Sequence, residues 1–206
     1  MTTRDWLTSL KTMAIFLLVI IYLSGVMTFK MKEDNEMLLA YKSVTEKYQS
    51  KFGTSFLNRK LTDDVESQVI FYLFQRSNQN FPDILIPGNV SLLENSHFDL
   101  SKPTKVLVHG FLDSLFGDMI TTVKQSLLDV MDANILVVDW SRITMNIDYF
   151  VVAKKTKEVG EYLARMLDFL STQGYDFSGY HLIGHSLGAH VCGYAGRSVL
   201  QGVIPR

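Results

Sequence analysis

Five consecutive residues, Gly184-His185-Ser186-Leu187-Gly188, place a serine between two glycines at a spacing that suits a nucleophile. A serine hydroxyl is a weak nucleophile, so it must project from the backbone, meet a base and have donors ready for the oxyanion. A sharp turn from a strand into a helix makes the side chain project, and the residues two before and two after it must then be small. The pattern therefore predicts that Ser186 is a catalytic nucleophile, with Gly184 and Gly188 as the glycines of the turn.

The flanking sequence predicts the strand and the helix that such a turn requires. Tyr180–Ile183 is a short apolar run that leads directly into Gly184. After the motif, Ala189–Ala195 can continue as a helix with small residues facing a sheet. This context makes the interpretation of Ser186 as a nucleophile more specific than the glycine spacing alone.

A second segment matches the same chemistry independently. Lys105–Val108 is an apolar strand that ends in His109-Gly110-Phe111. In folds with a nucleophile turn of this kind, the loop after such a strand supplies one amide of the oxyanion hole, and the residue after the nucleophile supplies the other. The backbone N–H groups of Phe111 and Leu187 are therefore predicted to form the oxyanion hole.

The elements that would position these residues alternate between strands and helices. Apolar runs at Val69–Phe74 and Ile135–Val138 predict two more strands, and apolar residues at helical spacing predict helices over 117–131 and from Val152 to about Leu170. Short apolar strands separated by helices of this length are typical of a largely parallel sheet that is covered on both faces. The expected fold class is therefore α/β, with a mostly parallel sheet between helices.

Composition and charge limit the classes of molecule that the chain is expected to bind. Its 206 residues are 47% hydrophobic and 20% charged, with a formal net charge of −1, which is typical of a globular protein. No basic stripe is visible, so we expect no nucleic-acid binding. Cys192 is the one cysteine, which excludes a disulfide within the chain, and we expect it to be a small buried hydrophobe.

The N-terminal segment predicts entry into the secretory pathway. Met13–Met27 carries no charge and follows Arg4 and Lys11, as in a signal sequence. Residues 1–29 are interpreted as a cleaved signal peptide or as a signal anchor that holds the protein in a membrane through residues 13–29. In either case Asn89, in Asn89-Val90-Ser91, is a candidate for N-glycosylation.

Residues 30–65 are polar and mixed in character, which separates them from the rest of the chain. They are interpreted as an N-terminal arm or pro-segment, with a helical decoration packed on the main domain as the alternative. Residues 66–206 then form that main domain.

The stretch from about Val69 to Arg206 resembles the pancreatic lipase family of α/β hydrolases, and residues 66–206 would be part of such a domain. The resemblance implies hydrolysis of lipid esters, either triacylglycerols or phospholipids (phospholipase A1 type), outside the cell, with contact to a membrane or lipid interface. It implies neither a metal nor a cofactor. The residues that carry it are Lys105-Val106-Leu107-Val108-His109-Gly110-Phe111, Val137-Val138-Asp139-Trp140-Ser141 and His181-Leu182-Ile183-Gly184-His185-Ser186-Leu187-Gly188-Ala189-His190.

The family also implies an acid and a base that follow the nucleophile in the order Ser, Asp, His. After Ser186 the chain has no Asp or Glu, and its one later histidine, His190, is only four residues away. Asp139 is not taken as the acid because nothing supplies its base. The chain is therefore expected to be an N-terminal portion that lacks both groups and is inactive by itself. Structural or packing roles are expected for His97, His109, His181 and His185.

Two other functions remain open at this point. One is a non-catalytic lipid-binding or storage protein on the same fold, and the other is a membrane-anchored pseudoenzyme. An intact nucleophile turn at Ser186 argues against the first, because a protein that only binds has no use for it. The sequence leaves the oligomeric state and the choice between triacylglycerol and phospholipid undetermined.

Overall fold

The computed structural model describes residues 64–204, in which five strands form one sheet. The order across the sheet is β2-β1-β4-β3-β5. The strands are β1 (Ile70–Phe74), β2 (Asp83–Leu85), β3 (Thr104–Val108), β4 (Asn134–Asp139) and β5 (Tyr180–Gly184).

The sheet is mixed but mostly parallel, as the sequence predicts. Strand β3 pairs in parallel with both β4 and β5. Strand β1 is antiparallel to β4 and to β2, so β2 runs in the same direction as β4 and only β1 is reversed. The short strand β2 was not predicted from the sequence.

Six α-helices and one turn of 3₁₀-helix accompany these strands in the described residues. The helix predicted over 117–131 is α3, and the helix predicted from Val152 is α5, which begins three residues earlier because the Asp148 side chain caps it. The helices are α1 (Val65–Gln68), α2 (Val90–Glu94), α3 (Asp118–Val130), α4 (Ser141–Thr144), α5 (Tyr149–Thr172) and α6 (Leu187–Ser198), with the 3₁₀ turn at Phe177–Gly179.

Helices cover both faces of the central strands, which is why every residue of β4 is buried. On one face, Val106 and Val138 belong to the same apolar cluster as Leu163 of α5 and Val191 of α6. Helix α3 lies outside that cluster and contacts β3 and β4, so it covers the opposite face. The predicted α/β architecture with helices on both faces is confirmed.

Helices α5 and α6 cross at very short range. A Cβ atom on Gly160 of α5 would lie 2.5 Å from the Tyr194 Cβ and 2.7 Å from the Val191 carbonyl oxygen. The absence of a side chain at Gly160 therefore allows α6, which begins directly after Ser186, to lie against α5 and the sheet.

Strand β5 lies at one edge of the sheet formed by residues 64–204. It pairs with β3 on one side, and His181 is exposed while Leu182 and Ile183 are half-buried. The strand that leads into Ser186 is thus less covered than β3 and β4.

Within residues 64–204, none of the helices has the length and apolarity needed to cross a membrane. The predicted signal segment, residues 1–29, and the arm up to residue 63 lie outside the described residues.

Candidate active site

Ser186 occupies the sharp turn between β5 and α6. Its backbone angles are φ 53° and ψ −119°, and its side chain is exposed. A non-glycine residue with such a positive φ is strained, at a cost of about 1–3 kcal/mol. The turn thus has the strained geometry that presents a serine hydroxyl at the end of a strand.

The two glycines of the motif are required by close backbone approaches. A Cβ on Gly184 would overlap the Gly188 carbonyl oxygen and lie 2.6 Å from the Ala189 nitrogen. A Cβ on Gly188 would overlap the Val108 carbonyl oxygen and lie 2.6 Å from that of His109. The glycine spacing therefore lets the end of β5, the start of α6 and the end of β3 converge around the serine.

The loop after β3 passes directly beside Ser186. The His185 amide donates a hydrogen bond to the Val108 carbonyl oxygen at 3.0 Å, which joins the turn to the end of β3. A Cβ on Gly110 would lie 3.0 Å from the Ser186 Cβ and 3.1 Å from the His185 carbonyl oxygen. The segment Gly110–Phe111, called the oxyanion loop below, is therefore adjacent to the serine.

Both amides predicted to form the oxyanion hole have no hydrogen-bond acceptor within residues 64–204. Neither the Phe111 nor the Leu187 amide donates a hydrogen bond within residues 64–204, whereas the next two amides of α6 bond to the carbonyl oxygens of His185 and Ser186. Leu187 is also the first residue of a twelve-residue helix, whose N-terminus favours negative charge. Two donors that flank Ser186 are thus available to an anion that forms there.

No acid or base accompanies Ser186 in the described part of the chain. The Ser186 hydroxyl makes no hydrogen bond within residues 64–204, and the nearby His185 and His190 side chains are exposed and make none either. The arrangement places a serine hydroxyl beside two backbone amides without hydrogen bonds, but residues 64–204 show no group that would activate the hydroxyl.

A buried histidine and aspartate meet next to the oxyanion loop. The His109 Nε2 lies 3.1 Å from the Asp139 Oδ1, and the Nδ1 lies 3.1 Å from the Gly110 carbonyl oxygen. Burial alone would raise the pKa of Asp139, but hydrogen bonds from His109 and Ser141 outweigh it and hold that pKa below its usual value. Both ring nitrogens of His109 are therefore engaged away from Ser186, so this pair is not its base and acid.

From the sequence, His109 is expected to have only a structural role, and its contact with Asp139 was not predicted. The available signal is topological, since both residues follow the apolar runs of β3 and β4, which are neighbouring parallel strands.

Apolar side chains extend from the oxyanion loop to the start of α5. The Phe111 ring contacts the Tyr149 ring edge-on, with centroids 5.2 Å apart, and Tyr149 contacts Phe150 in the same way. Phe150 is 76% exposed and Ile147 is 89% exposed. Ile147, Tyr149, Phe150 and Val151 form a surface called the apolar rim below, which was not predicted from the sequence.

The other two residues singled out from the sequence, Asn89 and Cys192, lie outside the surroundings of Ser186 described above. Asn89 is exposed and caps α2 by accepting the Leu92 amide at 3.0 Å. Cys192 is partly buried on α6, and burial raises its pKa to about 12. Within residues 64–204, no group of three His, Cys, Asp or Glu side chains is placed to hold a metal ion.

The mostly parallel sheet with its strained serine turn defines an α/β-hydrolase type of protein. A family model described as Lipase matches residues 38–206, and the chain belongs to that family. The resemblance to the pancreatic lipases is thereby confirmed.

Comparison with individual proteins gives the same family. The chain is 38% identical over 127 residues to human "Inactive pancreatic lipase-related protein 1", covering 61% of the chain and 27% of the relative. It is 32% identical over 145 residues to mouse "Pancreatic lipase-related protein 2", covering 70% of the chain and 29% of the relative. It is also 32% identical over 144 residues to pig "Pancreatic triacylglycerol lipase", covering 69% of the chain and 31% of the relative. The matched region thus spans less than a third of each relative.

Proposed function

We propose that the protein is a carboxylic-ester hydrolase that acts on lipid esters with Ser186 as its nucleophile. The observation that carries the proposal is the strained, exposed Ser186, flanked by the Phe111 and Leu187 amides, which donate no hydrogen bond within residues 64–204. A binding protein gains nothing from a backbone conformation that costs about 1–3 kcal/mol.

The proposed reaction has two stages. A base removes the proton from the Ser186 hydroxyl as its oxygen bonds to the ester carbonyl carbon, and the carbonyl oxygen becomes an oxyanion held by the two amides. When the intermediate collapses, the bond to the alcohol breaks, the base returns the proton to the alcohol, and an acyl-enzyme remains for water to hydrolyse. In comparable sites each oxyanion donor contributes about 3–4 kcal/mol.

We further propose that residues 1–206 alone do not catalyse this reaction. No carboxylate follows Ser186 in the sequence, and no acid or base hydrogen-bonds to the Ser186 hydroxyl within residues 64–204. Purified residues 31–206 should hydrolyse p-nitrophenyl butyrate no faster than a Ser186→Ala control. A clear Ser186-dependent rate would show that this polypeptide already contains its acid and base.

The hydrolase proposal is testable in a chimera. Residues 64–204 would replace the matching region of pig pancreatic triacylglycerol lipase, so that the rest of that enzyme supplies the acid and base that the family resemblance implies. We expect hydrolysis of tributyrin that disappears in Ser186→Ala. A chimera that melts cooperatively but shows no Ser186-dependent hydrolysis would instead favour a non-catalytic lipid-binding role. The human relative is itself named inactive, so loss of catalysis is a real alternative.

The same chimera addresses the lipid class. Triacylglycerol and the sn-1 ester of a phospholipid expose the same carbonyl chemistry to Ser186, so the choice between lipase and phospholipase A1 activity depends on neighbouring surfaces. Assays with tributyrin and with phosphatidylcholine vesicles would be compared with those of unmodified pig lipase, and a changed ratio of the two rates would be due to residues 64–204.

Contact with a lipid interface is proposed to involve the apolar rim. Ile147 and Phe150 are highly exposed and lie beside Tyr149, which contacts Phe111 of the oxyanion loop. Removing such side chains from water stabilises contact with a lipid surface by about 1.5–3 kcal/mol for each one fully buried. The rim would therefore place the lipid next to Ser186.

Co-sedimentation with phosphatidylcholine vesicles tests this contact. The double variant Ile147→Ser/Phe150→Ser should bind at least tenfold more weakly than the unmodified chain. Val130→Ser provides the matched control because Val130 is 79% exposed at the end of α3, outside the rim. Equal effects of the two changes, or no effect of the double variant, would contradict the proposal.

We propose that the protein enters the secretory pathway, where Asn89 is glycosylated. The triplet Asn89-Val90-Ser91 is exposed, and the Asn89 Nδ2, to which a glycan attaches, makes no hydrogen bond within residues 64–204. Expression in a secretory cell should give a glycosidase-sensitive mass shift that Asn89→Gln removes. Finding unmodified, wholly cytosolic protein would contradict this proposal, and the mass of the mature N-terminus would separate signal cleavage from anchoring.

A further inference from the structure

We propose that His109 is a positioning residue for the oxyanion loop, held in place by Asp139 and Trp140. The inference rests on the proposed function, because the amide that it positions is that of Phe111. It concerns the arrangement of the loop before any substrate binds.

The sheet brings these residues together. Strands β3 and β4 are parallel neighbours, with Val108 opposite Val138 in the register. His109 and Asp139 are the next residues along the two strands, so they meet at the same edge of the sheet. The His109 side chain is fully buried, and that of Asp139 is 8% exposed.

Both the backbone and the ring of His109 are fixed from the β4 side. The Trp140 indole N–H donates to the His109 carbonyl oxygen at 3.0 Å. The Trp140 ring stacks on the His109 ring, with centroids 5.9 Å apart and planes 26° apart. On the loop side, the Nδ1 faces the Gly110 carbonyl oxygen at 3.1 Å. The peptide unit that ends in the Phe111 nitrogen is thus contacted by a ring that is itself held.

The attachment to β4 does not depend on which ring nitrogen carries hydrogen. With hydrogen on Nε2, the ring donates to Asp139 Oδ1 at 3.1 Å. With Nε2 unprotonated, that nitrogen accepts the Trp140 backbone N–H at 3.2 Å instead. These two contacts are alternatives for one nitrogen, and either one ties the ring to the end of β4.

The buried carboxylate makes the arrangement costly to disrupt. Asp139 Oδ1 also accepts the Ser141 amide at 3.1 Å, so the carboxylate is held from both strand ends. A buried charge that loses a hydrogen-bond donor is strongly destabilised. Loss of the His109 ring should therefore free the loop and also disturb the end of β4.

Residue-resolved hydrogen exchange on the full 206-residue chain tests the inference. The Leu112 amide directly follows the oxyanion loop and donates to the Thr144 carbonyl oxygen at 3.3 Å, so its exchange rate reports whether the loop is held. His109→Leu should raise the exchange rate of the Leu112 amide at least tenfold relative to those of central β4 amides. His109→Gln retains a side-chain N–H that can donate to Asp139, and it should keep the Leu112 rate within about threefold of the unmodified chain. Asp139→Asn, which removes the charge but keeps an oxygen for the Ser141 amide, should show an intermediate increase.

The matched control changes the other histidine–aspartate pair of the described residues. The His97 Nδ1 lies 2.7 Å from the Asp83 Oδ2, away from the oxyanion loop, so Asp83→Asn should leave exchange of the Leu112 amide unchanged. Equal exchange in the Leu and Gln variants, or an equal increase in Asp83→Asn, would overturn the inference. The comparison of His109→Leu with His109→Gln decides the question even where Asp139→Asn fails to fold. Since exchange needs no turnover, a chimera without Ser186-dependent ester hydrolysis would count against the proposed function and leave this inference standing.

Discussion

Replacing Gly188 with alanine tests whether the glycine spacing is required by packing. The added Cβ would overlap the Val108 carbonyl oxygen and lie 2.6 Å from that of His109. Both are backbone atoms at the end of β3, so no side-chain rotation relieves the overlap. The start of α6 would have to move away from the sheet, together with Ser186.

The expected magnitude follows from two opposing effects. Overpacking of this kind costs about 3 kcal/mol, and alanine regains about 1 kcal/mol in helix propensity over glycine. A net loss of about 2 kcal/mol corresponds to a fall in Tm of roughly 6–10 °C for a domain of this size.

Gly193→Ala is the matched control within the same helix. Gly193 is exposed, and a Cβ there meets nothing within 4 Å, so only the helix propensity changes. We expect that variant to be stabilised by up to about 1 kcal/mol. Thermal melting followed by circular dichroism, with urea unfolding as a check, should give shifts of opposite sign. A Gly188→Ala protein that melts within a degree of the unmodified chain would refute the reasoning.

Three further properties follow from the structure. Because burial raises the Cys192 pKa to about 12, less of the thiol is ionised at pH 8, and its reaction with a disulfide reagent should be at least tenfold slower in the folded protein than in urea. Because Asp139 has a folded pKa below its usual 3.8, its ionised form stabilises the fold above about pH 4 and this contribution is lost on further acidification. The difference in Tm between the unmodified chain and Asp139→Asn should therefore shrink below pH 4, and a constant difference would contradict the assignment. Because β5 is an edge strand within residues 64–204, purified residues 31–206 should self-associate as their concentration rises, and a monomer throughout in size-exclusion chromatography would contradict this.

The sequence predicted most of the fold because its signals are local. Helical spacing identified α3 and α5, and the apolar runs identified four strands to within one residue. The turn at Ser186 was equally predictable, since a strand, two glycines and a helix with small residues lie next to one another in the chain. The strained backbone at Ser186 and the close approach of Gly188 to Val108 are the physical reasons for that pattern.

The features that were missed depend on how distant segments align. The reversed direction of β1 and the short strand β2 are not encoded in a periodicity of either segment. The contact of His109 with Asp139 requires the register of β3 against β4, and the apolar rim requires Phe111 to meet Tyr149 from another element. Neither contact has a signal in the spacing of residues along the chain.

Covalent trapping tests most directly whether Ser186 is the nucleophile. The chimera that carries residues 64–204 within pig pancreatic triacylglycerol lipase would be treated with a p-nitrophenyl alkylphosphonate, whose phosphorus a serine oxygen attacks as p-nitrophenolate leaves. Peptide mass spectrometry should find a single phosphonate adduct on Ser186, with hydrolysis of tributyrin lost in proportion, and no adduct in Ser186→Ala. An adduct on another residue, or hydrolysis that persists in Ser186→Ala, would contradict the account.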